Sequence, residues 1–262
     1  MLNFDLFYSG PQVDPSRLWV SASGGRTSMM MARLIQQEFP DHQIPVLFAN
    51  TGQEHERTLE FVQECSDHWR MPIVWVEAEV HHDRRKACTH RRVGFNSADR
   101  DGTVFEEVIR KYGIPSKAFP HCTRELKMNP MWDYIKEHYG PDMVAAVGIR
   151  GDEPRRLTSD PKIVYPMAHW WPHSKESVLA WWRQQPFDLG LEEREGNCLW
   201  CWQKSDAKHA ANLATNPEWY EFPRRMEAAY AHIKAPRHPR TIFRGARSTL
   251  QLIESLTVDY PI

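Results

Sequence analysis

The stretch LWVSASGGRTS, residues 18–28, decides the fold of this 262-residue chain. A short apolar run leads into two glycines, and apolar residues then recur at helical spacing from Thr27 to Phe39. Gly24 and Gly25 allow consecutive backbone amides to face an anion, and the helix that follows directs its positive N-terminus at the same point. The stretch therefore predicts a strand, a phosphate-binding loop and a helix.

Strands and helices alternate further along the chain. Apolar runs at residues 44–49, 73–76 and 143–149 predict buried strands, with helical segments between them. Such alternation is typical of crossover units built on a parallel sheet. We expect an α/β fold with a doubly wound, mostly parallel, five-stranded sheet of Rossmann-like type. We assign residues 1–158 to a nucleotide-binding domain and residues 159–262 to a small helical C-terminal subdomain, with one undivided domain as the alternative.

The composition is that of a folded protein without a strong overall charge. Hydrophobic residues make up 41% and charged residues 26% of the chain, and the formal net charge is -1. This balance excludes a disordered chain and a uniformly basic nucleic-acid-binding protein. Positive charge is concentrated at residues 81–92 and 224–247, which are candidate contacts for phosphate groups or simply solvated loops.

The sequence shows no targeting or membrane signal. The N-terminus lacks the basic start and apolar stretch of a secretory signal, and no run of about 18 apolar residues occurs. We expect a cytoplasmic protein without membrane association. Cysteines remain reduced in that compartment, so a closely spaced pair such as Cys198 and Cys201 indicates metal binding or catalysis.

Several segments resemble those of one enzyme family. SASGGRTS resembles the SGGxxS loop of the adenine nucleotide alpha-hydrolase superfamily, the PP-loop ATP pyrophosphatases, with Arg26 in place of the usual lysine. Four more segments resemble motifs of the phosphoadenylyl-sulfate and adenylyl-sulfate (PAPS/APS) reductase-like family. They are FANTGQEHERTLEFV at residues 48–62, HCTRELKMNPMWDYI at residues 121–135, VGIRGDEPRRL at residues 147–157 and YPMAHWWPHSKESVLAWW at residues 165–182. The resemblance extends over about residues 18–205, well beyond a single fingerprint.

The resemblance implies a nucleotide site for ATP, or for PAPS or APS, with Mg2+ bridging the phosphates. It implies catalytic roles in charge neutralisation for Arg26, Lys127 and Arg150. The residues expected to bind the nucleotide are Ser21, Ser23, Gly24, Gly25, Arg26, Thr27, Ser28, Asn50, Thr51, Gly52, Glu54, Arg124, Gly148, Arg150, Glu153, Arg155 and Arg156. Those that follow the strand at residues 143–149 are also expected on physical grounds, because parallel sheets bind ligands at the carboxyl ends of their strands.

The cysteines resemble the ligands of a 4Fe-4S cluster in the adenylyl-sulfate branch of that family. Cys122, Cys198 and Cys201 match three of the family's ligand positions, whereas His121 occupies the position of the fourth. We expect Cys88 to supply the fourth thiolate, with His121 as the alternative ligand. Spacing alone does not separate an iron-sulfur cluster from zinc or from redox-active thiols.

Three interpretations of function follow from the resemblance. In the first, ATP is attacked at its α-phosphate, and the adenylylated acceptor, a nucleic acid or a protein, is then thiolated with the help of the cluster. In the second, the chain is a PAPS or APS reductase; since no cysteine follows Cys201, a partner would supply the catalytic thiol. In the third, it is a non-catalytic nucleotide sensor. We also expect a protein that donates sulfur or electrons as a partner, and association of two copies of the chain into a homodimer.

Overall fold

The computed structural model describes residues 13–83, 85–196 and 198–259. Its strands are β1 (Leu18–Ala22), β2 (Val46–Ala49), β3 (Ile73–Glu79), β4 (Thr89–Val93), β5 (Val144–Val147) and β6 (Ile163–Val164). They form a six-stranded sheet with the order β4-β3-β2-β1-β5-β6. β1 pairs in parallel with both β2 and β5, and β5 pairs in parallel with β6. The predicted α/β fold with a mostly parallel sheet is confirmed.

Helices occupy most of the remaining chain. They are α1 (Arg26–Glu38), α2 (Glu56–Trp69), α3 (Thr103–Tyr112), α4 (His121–Thr123), α5 (Asn129–Tyr139), α6 (Pro166–His169), α7 (Lys175–Trp182), α8 (Asp206–Thr215), α9 (Glu221–Tyr230) and α10 (Thr249–Asp259). A π-helical turn, Arg124–Met128, joins α4 to α5. Such turns are rare and are frequently found at functional sites. Among the described residues, no helix has both the length and the apolar character needed to cross a membrane.

The sheet has one strand more than the five that the sequence predicts. β4 has the sequence THRRV and comes from the basic segment at residues 81–92, where we expected a loop. No residue of β4 is fully buried, and β4 is the first strand in the sheet order. An edge strand carrying charged side chains has no apolar run by which it could be recognised.

The chain divides into two compact units, each assembled from separate stretches of sequence. Within the described residues, unit 1 comprises the chain up to residue 48 together with residues 57–75 and 133–190, and unit 2 comprises residues 49–56, 76–132 and the chain from residue 191 onward. The division that we place at residue 158 stays a prediction.

Unit 1 has a core in which α1 is buried along most of its N-terminal half. Met29, Met30 and Met31 are consecutive and all buried, which a helix allows only when it is covered on more than one side. Trp182 at the end of α7 is also buried, and its Nε1 donates a hydrogen bond of 2.9 Å to the carbonyl oxygen of Arg26. Cys65 lies fully buried in α2, as the apolar stripe of that helix predicts.

Unit 2 has its own apolar core around α3, α9 and the aromatic residues that follow the CxxC sequence. Trp200 is stacked on Phe222, with ring centroids 5.8 Å apart, and both rings pack against Phe105. The indole Nε1 of Trp200 donates a 2.6 Å hydrogen bond to Gln53. The CxxC sequence is therefore tied to a rigid aromatic core rather than to a surface loop.

His209 gives the core of unit 2 a dependence on pH. The side chain is 1% exposed, and Nδ1 lies 2.7 Å from the hydroxyl oxygen of Tyr220. Burial lowers the pKa of His209 to about 4 from its ordinary 6.5. As the pH falls below 6.5, the unfolded chain takes up a proton at this residue before the folded chain does, so stability decreases until about pH 4.

We expect the free energy of unfolding to be about 2 kcal/mol lower at pH 5 than at pH 7.5 through His209 alone. The His209→Gln variant, which does not titrate, should lose this part of the pH dependence. Urea denaturation of both proteins at the two pH values measures the difference. Equal pH dependence in the two proteins would show that His209 is not the cause.

Candidate nucleotide loop and cysteine cluster

The loop between β1 and α1, residues 23–25, is called the phosphate loop here. Gly24 has φ of 75°, and a Cβ added to it would lie 2.6 Å from Thr58 Cγ2 and 3.1 Å from Phe48 Cε2. A side chain at this position would be strained and would also collide with the core. The loop backbone therefore lies directly on the apolar interior of unit 1.

The first turn of α1 is available to an anion. Gly25 is the N-cap residue and makes no side-chain capping hydrogen bond. Ser28 is buried, and its Oγ accepts a 3.0 Å hydrogen bond from the Ser23 amide and donates one of 3.0 Å to the Gly25 carbonyl oxygen. Because Ser28 braces the loop from within, the loop is held in shape before any ligand binds. The helix dipole adds positive potential at this point.

Arg26 is held by an acidic residue that the sequence did not indicate. Its Nε and Nη2 donate to the two carboxylate oxygens of Asp188 at 2.7 and 2.5 Å. Burial alone would raise the pKa of Asp188, but the hydrogen bonds and charge of Arg26 hold it below its usual value. Arg57 also donates to the Asp188 carbonyl oxygen, at 2.7 Å. Arg26 is thus fixed in a bidentate pair, and a phosphate group would compete with Asp188 for it.

The chain after β5 packs against the start of α1. A Cβ at Gly148 would lie 2.9 Å from Ser28 Cα and 3.2 Å from the Ser28 amide nitrogen. Further along, Arg150 Nη1 lies 3.4 Å from Thr27 Oγ1, and Arg150 Nε donates a 2.8 Å hydrogen bond to Asp152. Gly148 and Arg150 therefore lie against the first turn of α1, and their roles in binding stay predictions.

The other residues predicted in this part of unit 1 are less closely engaged. Glu153 bonds to Arg156 and lies 3.4 Å from Arg150. Arg155 and Arg156 are exposed. Ser21 lies in β1, opposite Leu47 and Val147 of the neighbouring strands. The placement of these residues does not show whether they bind nucleotide, so their roles stay predictions.

In unit 2, the NTG turn is held by two buried carboxylates. Glu54 Oε2 accepts hydrogen bonds from the Thr51 amide at 2.9 Å and from Thr51 Oγ1 at 2.8 Å. Asn50 Oδ1 accepts a 3.2 Å hydrogen bond from the Gly52 amide, while its Nδ2 donates one of 2.6 Å to Glu77. The predicted binding residues Asn50, Thr51, Gly52 and Glu54 therefore form a single hydrogen-bonded turn.

Glu77 is a positioning residue for this turn that sequence reasoning missed. It is completely buried, and its Oε1 also accepts a 2.7 Å hydrogen bond from the Asp99 amide. Arg91 Nη2 lies 2.8 Å from Glu77 Oε2 and compensates its charge. The available signal was a glutamate directly after the apolar run of β3 and inside the strand, since a charged residue is almost never fully buried without a partner.

Three cysteines lie near one partly buried lysine, and we call Cys122, Cys198 and Cys201 the cysteine cluster. Lys127 Nζ is 3.4 Å from Glu54 Oε1 and within electrostatic range of Cys198 and Cys201. Cys122 is within the same range of Cys201 and of Lys127. Burial and the Glu54 charge raise the pKa of the Cys198 thiol to about 12, and Lys127 opposes that rise. The structure thus brings together three of the four predicted thiols around a positive charge.

The CxxC turn has an anchor that was not predicted. Lys204 is 8% exposed, and its Nζ donates to the carbonyl oxygens of Cys198 and Leu199 at 2.7 and 2.8 Å. On the other side of the turn, Thr51 Oγ1 lies 3.5 Å from Cys198 Sγ. The Cys198 thiol is thereby placed beside the NTG turn.

Cys88 and His121, the two candidates for a fourth ligand, have different surroundings. The Cys88 thiol hydrogen-bonds with Glu125 and Tyr112, and burial together with Glu125 raises its pKa to about 12. Burial lowers the pKa of His121 to about 4, and His121 Nε2 has no hydrogen-bond partner among the described residues. Arg124, predicted to bind nucleotide, forms a 2.8 Å ion pair with Glu125. The choice of fourth ligand stays open between Cys88 and His121.

Comparison with known proteins places the chain in a family. The family model described as the phosphoadenosine phosphosulfate (PAPS) reductase domain matches residues 17–95. The uncharacterized nin region protein ORF290 of Escherichia phage lambda is 34% identical over 194 residues, which cover 72% of this chain and 67% of the relative. The chain belongs to the PAPS reductase-like family. The membership that the motifs predict is confirmed.

Other relatives of this PAPS reductase-like chain are more distant. The uncharacterized protein MJ0066 of Methanocaldococcus jannaschii is 28% identical over 131 residues, covering 50% of this chain and 22% of that protein. A crystal structure of PAPS reductase from Candida auris, a phosphate complex, superimposes with a TM-score of 0.39 at 13% identity. That alignment covers 66% of this chain and 80% of the Candida chain.

Proposed function

We propose that this PAPS reductase-like protein is an enzyme that binds ATP at the phosphate loop and transfers adenylate to an acceptor. The observation that carries the proposal is the preformed loop: Gly24 within it and Gly148, which packs against the first turn of α1, leave room only for backbone, and that turn has no side-chain cap. Arg26 and Arg150 lie beside the start of α1, where a phosphate group could compete for them with Asp188 and Asp152. This combination suits a polyphosphate better than a neutral ligand.

In the proposed reaction, an oxygen of the acceptor attacks the α-phosphorus of ATP. The bond between the α-phosphorus and the bridging oxygen breaks, and pyrophosphate leaves with that oxygen and its electron pair. Backbone amides of α1, Arg26 and Arg150 neutralise the charge that develops on the phosphate oxygens, and Mg2+ bound with ATP would add positive charge there. Catalysis then consists mainly of positioning and of electrostatic stabilisation. Lys127, predicted to be catalytic, lies in unit 2 and is not assigned to this step.

The cysteine cluster is chemically suited to a soft metal centre. Cys122, Cys198 and Cys201 are thiols, and Lys127 lies where it can offset the charge of their thiolates. A fourth ligand, for which the sequence predicts Cys88 with His121 as the alternative, would complete the set. A 4Fe-4S cluster held there would supply the chemistry for thiolating the adenylylated acceptor. Iron, zinc and sulfide analysis of the anaerobically purified protein distinguishes such a cluster from zinc or from metal-free thiols.

The test of the proposed function measures the pyrophosphate released from ATP in the presence of Mg2+. Total cellular RNA and total protein are supplied as acceptors in separate reactions. We expect release that depends on an acceptor, and a loss of about 100-fold in the Arg150→Leu variant. The control is Arg183→Leu, which removes an exposed arginine of unit 1 that lies outside the site. Sulfite release from PAPS or APS in the presence of a reduced dithiol protein as electron donor, without pyrophosphate release from ATP, would overturn the proposal in favour of a reductase. ATP binding without either product would overturn it in favour of a nucleotide sensor.

A further inference from the structure

Unit 2 carries a group of basic side chains that we assign neither to the phosphate loop nor to the cysteine cluster. Two stretches of the sequence, residues 108–124 and 228–253, contain no aspartate or glutamate, although more than a quarter of the whole chain is charged. They include several cations. In the part of the chain that the structure describes, no ion pair involves five of them, namely Lys111, Lys117, Lys234, Arg237 and Arg240. We call this group the basic face.

Arg240 fastens the two stretches to each other. Its Nη1 donates a 3.1 Å hydrogen bond to the Tyr112 carbonyl oxygen, and its own amide donates one of 2.8 Å to Ala231. Gly113 has φ of 86°, and a Cβ there would lie 2.6 Å from the Ile233 carbonyl oxygen. The two backbones approach so closely that no side chain fits between them. The cations of the basic face are therefore presented on a fixed framework.

Aromatic rings lie among these cations. The Arg240 guanidinium is 3.8 Å from the ring centroid of Phe119, which is nevertheless 45% exposed. The ammonium groups of Lys111 and Lys234 lie 5.0 and 5.1 Å from the ring centroid of Tyr112. Phe119 therefore presents an aromatic ring to solvent in cationic surroundings.

Three cavities of unit 2 open along the basic face. Two of them, of about 620 and 510 Å³, share Phe119 and Arg240 in their linings. The third, of about 520 Å³, is lined by Lys111, Lys234 and Arg110 among others. Of the residues that the structure describes, Glu107 is the one carboxylate that lines any of the three. The two cavities that share Phe119 and Arg240 therefore carry positive charge next to an aromatic ring, with no carboxylate among their described lining residues.

We infer that the basic face binds single-stranded nucleic acid, with phosphates along Lys111, Lys117 and Lys234 and a base stacked on Phe119. Cations that track a backbone and an aromatic ring that stacks a base are the two elements of single-strand recognition. An acidic polypeptide would use the cations but not the exposed ring. The inference deepens the proposed function, on which it rests, by naming the acceptor as a nucleic acid strand.

The test is fluorescence anisotropy of the full chain with a labelled single strand of about 15 nucleotides, as DNA and as RNA, in the absence of ATP. We expect the Phe119→Ala variant to bind about tenfold more weakly. For Lys117→Glu we expect weaker binding. The slope of the logarithm of the binding constant against the logarithm of the salt concentration should also be less steep, by about 0.7 for each phosphate that is no longer neutralised. The control is Lys136→Glu, which makes the same charge reversal at an exposed position of α5 in unit 1 and should bind as wild type does.

Equal affinity of all four proteins would overturn the inference. So would equal or tighter binding of a duplex of the same sequence, because a stacked base must come from an unpaired strand. Binding of polyglutamate as tight as that of the single strand would indicate a protein partner instead and would also overturn it. This inference and the proposed function can fail separately. Strand binding without pyrophosphate release from ATP would support the basic face as a binding surface and would overturn the proposed enzyme activity.

Discussion

The Gly148→Ala variant is expected to lose nucleotide binding while remaining folded. A Cβ at this position would lie 2.9 Å from Ser28 Cα and 3.2 Å from the Ser28 amide nitrogen, and backbone atoms cannot rotate out of the way as a side chain can. The first turn of α1 would have to shift, and with it the amides that we assign to the phosphates. We expect affinity for ATP to fall by about 100-fold, since displacements of this kind have effects of that order. The accompanying loss of stability should be about 1–3 kcal/mol.

A second glycine in the segment that follows β5 provides the control for Gly148→Ala. At Gly151 the nearest atoms to an added Cβ are 3.8 and 3.9 Å away, an ordinary contact distance, and its φ is not in the left-handed region. Gly151→Ala should therefore bind ATP as wild type does. Titration calorimetry with ATP measures the affinities, and thermal denaturation shows that both variants fold. If Gly148→Ala binds ATP normally, the nucleotide does not lie at the phosphate loop.

The phosphate loop could be predicted from the sequence because everything that defines it is local. The apolar strand, the two glycines and the start of α1 occupy eleven consecutive residues, and each follows from rules of backbone conformation. The partner of Arg26 could not be predicted in this way. Asp188 is 162 residues further along the chain, in a loop with no distinguishing pattern, and only tertiary structure brings the two together.

The surroundings of the cysteines could likewise be predicted only where they depend on local sequence. A CxxC sequence predicts that Cys198 and Cys201 lie close together, and the family resemblance adds Cys122. Which other group faces them depends on packing. Cys88 is buried with its thiol against Glu125 and Tyr112, and nothing in the sequence near Cys88 indicates that arrangement. Glu77 was missed for a related reason, since its hydrogen-bond partners come from distant parts of the chain.

The ion pair between Lys127 and Glu54 is expected to have the largest single effect on the stability of unit 2. Glu54 is 1% exposed at its side chain, and its Oε1 has no hydrogen-bond partner among the described residues. Lys127 Nζ, 3.4 Å away, is the positive charge that compensates this oxygen. Burial alone would lower the pKa of Lys127, but Glu54, and after it Cys198 and Cys201, raise it above its usual value. The lysine is therefore charged in the folded protein.

The Lys127→Met variant keeps the length of the side chain and removes the charge, which leaves a buried carboxylate without its counter-ion. Breaking a buried pair on one side costs about 3–5 kcal/mol, and because Lys127 is 26% exposed we expect the lower end of that range. Adding Glu54→Gln removes the uncompensated charge, so the double variant should regain part of the lost stability. Urea denaturation of wild type, both single variants and the double variant gives the coupling free energy.

Lys136→Met is the control for this cycle, because it makes the same substitution at an exposed position of α5 and should change stability little.

The coupling between Lys127 and Glu54 also bears on how the NTG turn is held. Glu54 holds the NTG turn through Thr51, and Thr51 in turn lies against the Cys198 thiol. Additive effects of Lys127→Met and Glu54→Gln would mean that the charge of Lys127 does not act through Glu54. A coupling free energy of about 1 kcal/mol or more, the range found for residues in contact, would mean that the charge of Lys127 stabilises the fold through Glu54, the residue that holds the NTG turn.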